Sequence, residues 1–172
     1  MKTLSYTRAQ KFLHWLSAVI IIWALVSGFY VALFEVALPV KEWVAFINVS
    51  MTTAFLPFFV VRLYLSFRRS RSSARQCSTL AENVASFVHW LIYLVVSLVL
   101  VTGVLMMDRV INVFDLLFIP QPLQDPDWIQ LFIKIHVWAC VVLAALVALH
   151  MSAVIKHEVS GRRVLVNMWF HR

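Results

Sequence analysis

The chain has 172 residues, 62% of them hydrophobic and only 13% charged, with a formal net charge of +7 and a mean hydropathy of +0.86. Soluble domains carry roughly 45–50% apolar and about 25% charged residues, and a chain this short has too little interior to hide such a surplus. Soluble, disordered, collagenous and disulfide-framework classes are excluded, which leaves a membrane protein.

A helix crosses a bilayer core of about 30 Å with ~20 largely apolar residues. The first such stretch is 12–34. It holds His14 near one end and Gly28 near the other, and it is too long for a cleaved signal sequence. The second, 44–66, carries Asn48, an internal Pro57 and Arg62 near its end. A lone proline is tolerated there because neighbouring helices satisfy the freed carbonyl. An arginine-rich loop (67–85) leads to the third stretch, 86–107, with His89 and Gly103. A proline-containing connection (108–128) follows, in which 113–119 reads as a short amphipathic turn at the membrane interface. The fourth stretch, 129–155, holds His136, Cys140 and His150, with His157 just beyond it and His171 in the tail. None of the runs alternates as barrel strands do. The expected fold is an all-α membrane protein, a four-helix up-down bundle forming a single domain over 1–172.

Basic residues set the orientation. One side receives Lys2, Arg8, Lys11, Arg62, Arg68, Arg69, Arg71, Arg75, Lys156, Arg162, Arg163 and Arg172; the other receives only Lys41, Arg109 and Lys134. Both termini are therefore expected in the cytoplasm, with "inner" denoting their side. The outer side also collects Glu35, Glu42, Asp108, Asp115, Asp125 and Asp127, so it is net acidic. A basic chain can signal nucleic-acid binding, but here the charge sits at span ends and in one loop, where it meets anionic lipid. Cys77 and Cys140 lie at different depths, so no disulfide is expected.

Spans one and three repeat at an offset of 75. Phe12-Leu13-His14-Trp15-Leu16 and Leu25-Val26-Ser27-Gly28 match Phe87-Val88-His89-Trp90-Leu91 and Leu100-Val101-Thr102-Gly103. Fourteen residues separate histidine from glycine in both, and the same interval separates Asn48 from Arg62 and His136 from His150. Fourteen helical steps return to nearly the same face about 21 Å away. An inner level thus collects His14, Arg62, His89 and His150, and an outer level Gly28, Asn48, Gly103 and His136. Ionisable groups inside spans face the bundle interior, where they pair or hold a ligand. Three imidazoles and a guanidinium at one depth suit a b-type haem, whose iron takes imidazoles and whose propionates take arginine. Blander readings stand beside this one. His89 can bridge helices, Arg62 can snorkel to the interface, the glycines can serve packing, Asn48 can hydrogen-bond between helices, and His157 can be a surface histidine.

With these residues in order, the chain resembles the bacterial cytochrome b561 family, itself similar to the cytochrome b subunits of membrane hydrogenases and formate dehydrogenases. The resemblance rests on Tyr6-Thr7-Arg8 before Phe12-Leu13-His14-Trp15, on Val60-Val61-Arg62-Leu63, on His89-Trp90-Leu91-Ile92-Tyr93 and Gly103-Val104-Leu105-Met106-Met107, and on His136 with Leu149-His150. It implies two b haems that link a quinone to a donor or acceptor. The inner haem would be held by His14 and His150, with Arg62 on its propionates and His89 or His157 near a quinone. The outer haem would take His136 and a histidine of span two, where this chain reads Ile47-Asn48-Val49-Ser50.

Asparagine in that position leaves three readings: no outer haem, a haem held by His136 alone, or a Met51 thioether as second ligand. The expectation is one inner haem. The function expected is quinone-linked electron exchange in the bacterial inner membrane with a redox partner or a small molecule such as superoxide, although the acidic outer face opposes an anion. A homodimer is compatible with it. The rival is a membrane anchor or assembly subunit with at most one structural haem.

Overall fold

The computed structural model describes residues 7–73 and 80–161, and the side chains of 7–68 and 83–161. Tyr6, Cys77, His171 and the basic residues Lys2, Arg75, Arg162, Arg163 and Arg172 lie outside the described residues, as do the side chains of Arg69 and Arg71. Four helices make the fold: α1 (Arg8–Leu33), α2 (Leu38–Ser73), α3 (Leu80–Leu105) and α4 (Pro126–Val159). All four are long and apolar enough to cross a membrane. Only 11–22% of each apolar window is buried inside the protein, so most of the hydrophobic surface points outward to lipid. The chain is a multi-pass membrane protein with the expected all-α bundle.

The helices begin earlier than hydropathy suggests, because capping residues set their ends. Thr7 accepts from the Gln10 backbone while the Gln10 side chain returns to the Thr7 N–H, a capping box that starts α1 at Arg8 instead of residue 12. Asp125 caps α4 from outside and Pro126 occupies its first turn, where a missing N–H costs nothing. The second helix runs straight through Pro57 for 36 residues, about 54 Å, and so extends past the hydrocarbon core.

Packing divides the bundle into two antiparallel hairpins, α1 with α2 and α3 with α4, joined more lightly between α2 and α3. At mid-depth Ile20, Phe55, Phe59, Val95, Val96, Leu100 and Leu143 close into one apolar cluster. The sequence repeat is visible in this core. Ile20 and Val95 share the offset of 75, while Phe55 and Leu143 are related by an offset of 88 that also links Asn48 to His136 and Arg62 to His150. The two hairpins are thus parallel repeats of one unit.

The 108–128 connection departs from expectation. Ile111–Val113 and Leu117–Ile119 pair as a small antiparallel hairpin (β1 and β2), with Phe114 and Asp115 both at positive φ in the tight turn between them. It is fastened to α2 instead of floating at the interface. The buried Ser50 hydroxyl donates to the Asn112 carbonyl and accepts from the Phe114 N–H, both at 3.1 Å. Ile111 and Val113 bury themselves against the bundle. Replacing Ser50 by alanine leaves both backbone groups without that partner. S50A is expected to lower stability by about 1–3 kcal/mol, read as a lower unfolding midpoint of the detergent-solubilised protein with faster proteolysis within 106–120.

Candidate functional site

Four pairs of polar side chains within the spans join the helices of the hairpins, two pairs per hairpin, and the pairs repeat. At the inner level an Arg62 N–H donates to His14 Nδ1 at 3.0 Å, joining α2 to α1. In the second hairpin the equivalent contact is between rings, His89 and His150 lying edge-on with centroids 4.9 Å apart. At the outer level the Ser27 hydroxyl meets Asn48 Oδ1 at 3.0 Å, and its counterpart Thr102 meets His136 Nδ1 at 3.1 Å. Ser27 and Thr102 are not singled out by charge or metal-ligand chemistry; their only signal in the sequence is that each precedes the repeat glycine.

At the inner level His14 also lies within electrostatic range of His150 and His89, so groups from all four helices converge at one depth. The Arg62 guanidinium stacks over the Tyr93 ring at 5.2 Å, a contact not anticipated from sequence. Hydrogen-bond chemistry assigns the protons. Arginine has donors only, so His14 Nδ1 accepts and Nε2 carries the proton. His89 Nδ1 lies 2.7 Å from the Ala85 carbonyl, an acceptor, so His89 keeps its proton on Nδ1 and leaves Nε2 free. His157, two turns beyond His150, is half-buried and makes no hydrogen bond or ring contact among the described residues.

The outer level surrounds a cavity of about 920 Å³ bounded by all four helices and by the chain leading into the hairpin. Gly28, Asn48, Gly103 and His136 all line it. Its walls are mainly apolar, and Lys41, Glu42, Asp108 and Arg109 stand at its mouth. A Cβ on Gly28 would meet nothing within 4 Å, whereas one on Gly103 would come within 3.2 Å of the His136 ring. Gly103 is therefore what lets that imidazole lie against α3. Thr102 gives its proton to the Leu98 carbonyl at 2.7 Å, so its oxygen can only accept from His136 Nδ1–H. The unprotonated Nε2 remains, 3.5 Å from the Cys140 sulfur on the same helix. Met51 is rotated about 60° from Asn48 around α2 and packs on the mid-depth cluster; it does not line the cavity.

Both levels fit a haem by donor chemistry. The inner one offers imidazoles and a cation. The outer one offers an imidazole already in the metal-binding tautomer, a space of ligand-pocket size and basic side chains at its mouth. The prokaryotic cytochrome b561 family model matches residues 5–171, and the chain belongs to that family. No curated protein matches the chain. Membership makes this a haem b membrane electron-transfer protein.

Because Thr102 fixes the His136 ring, the near-isosteric T102V is expected to cost about 1–3 kcal/mol by leaving Nδ1–H without its hydroxyl. T102S is expected to preserve stability. Parallel unfolding curves check the pair.

Proposed function

We propose that this chain exchanges single electrons between a membrane quinone and a redox partner or small redox molecule, using a haem b at its inner level. The observation that carries this reading is the convergence of His14, Arg62, His89 and His150 from four helices at one depth. His14 and His150 would hold the haem. When bound, the haem supplies a one-electron couple within the low-dielectric bundle.

The protein's own groups prepare that site. Arg62 and a metal compete for His14, because the lone pair on Nδ1 is held by the guanidinium and Nε2 carries the proton. Ligation would therefore require Arg62 to let go. The freed cation would then suit an anion at the same depth, such as a haem propionate. Tyr93 keeps a face against the guanidinium during this exchange. His89, with Nδ1–H tied to Ala85 and Nε2 free, would accept a hydrogen bond from a quinol, with His157 as the alternative partner.

The charge asymmetry supports a cytoplasmic location for both termini, so the quinone would react at the cytoplasmic face. The outer side as a whole, with six acidic against three basic residues, works against superoxide as the small-molecule substrate.

H14A and H150A are each expected to abolish the low-spin bis-imidazole signal of the inner haem. Survival of that signal in either variant overturns the ligand assignment. R62A is expected to retain that haem with a lower midpoint potential, because a nearby cation favours the reduced form. R62K should remain close to the wild type. A redox titration followed in the α-band measures both.

A further inference from the structure

The outer level is unequal in one respect. The repeat sets Asn48 on the first hairpin where the second carries His136, and each is held by the hydroxyl of its own repeat, Ser27 or Thr102. Both residues line the same cavity. His136 presents an unprotonated Nε2, a strong ligand for iron. The one Ser27 proton is shared between the Trp23 carbonyl at 2.7 Å and Asn48 Oδ1 at 3.0 Å, and the Asn48 Nδ2 amide keeps two N–H donors with no hydrogen-bond partner among the described residues. A neutral amide is a poor iron ligand but a good donor. Cys140 sits one turn from His136 on the same helix and approaches from the same wall, so it does not supply an opposing ligand.

We propose that the outer cavity takes a second haem b ligated by His136 alone, with Asn48 as hydrogen-bond donor over the open sixth position. The site would then bind a small neutral diatomic ligand of the carbon monoxide and nitric oxide class. The glycines on both hairpins suit a flat macrocycle, and Lys41 at the mouth suits one of its carboxylates, Arg109 there being paired with Asp108 at 3.0 Å. This inference rests on the chain's haem-binding character but not on the inner ligands His14 and His150, so the two readings can fail separately.

The test uses the full-length protein purified in detergent after expression with ample haem. Two haems per chain are expected, one low-spin and one high-spin in the electron paramagnetic resonance spectrum of the oxidised protein. After reduction, carbon monoxide should shift the absorption of one haem out of two. H136A should reduce the haem ratio from two to one and remove the carbon monoxide response. N48H should keep two haems, convert the high-spin signal to low-spin and abolish the response. N48L should keep two haems and the response but raise the C–O stretching frequency, because the polarising donor is gone. The inner low-spin signal reports in every variant that the bundle has folded.

A haem ratio of one in the wild type, with no carbon monoxide response, overturns the proposal. So do two haems that are both low-spin and inert to carbon monoxide, since a side chain such as Met106 or Met107 would then fill the sixth position. A carbon monoxide spectrum of the thiolate type that disappears in C140A also overturns it. Each of these outcomes leaves the inner site to be judged by H14A and H150A.

Discussion

Within a bilayer a polar side chain has no water to turn to, and each one left unpaired is costly. That constraint organises the protein. His14 with Arg62 and Ser27 with Asn48 join the helices of the first hairpin, and His89 with His150 and Thr102 with His136 those of the second. The hydroxyls serve twice, since Ser27 and Thr102 also bond to carbonyls one turn back in their own helices. Each hairpin is thereby a unit with one polar rung near either end and apolar packing between.

Joining two such units creates the functional interior. The apolar cluster around Phe55 and Leu143 separates the inner rungs from the outer ones. The levels differ in how their groups are satisfied. Inner side chains rest largely on one another, so Arg62 must change partners if His14 is to hold iron. Outer side chains rest on hydroxyls behind them and face a cavity bordered at its mouth by a chain segment that Ser50 fastens. A ligand could enter the second arrangement without displacing an internal bond. The repeat thus gives two similar rungs, and small departures from symmetry give them different chemistry: arginine against histidine at one level, asparagine against histidine at the other.

Much of this was legible from residue order. Four apolar runs, the paired His-Trp and glycine positions, and the fourteen-residue interval were enough to assign levels to His14, Arg62, His89, His150, Asn48 and His136. Helix ends were less legible, because caps such as Thr7 and Asp125 act outside the apolar runs that hydropathy detects. The 111–119 hairpin was missed because Phe114 is not a usual residue for positive φ, and its anchor, Ser50, lies more than sixty residues away. His157 could be placed near the surface but not tied to a partner.

The sequence by itself determined the membrane class, the number of spans and the depth of each special residue, because helical rise and bilayer thickness depend only on position along the chain. Tertiary structure decided the partners and the protons. Whether His14 offers Nδ1 or Nε2, and which hydroxyl holds Asn48 or His136, depends on which donor lies within 3 Å or so of which acceptor. That proximity is set by how two hairpins pack, and periodicity along a single helix does not contain it.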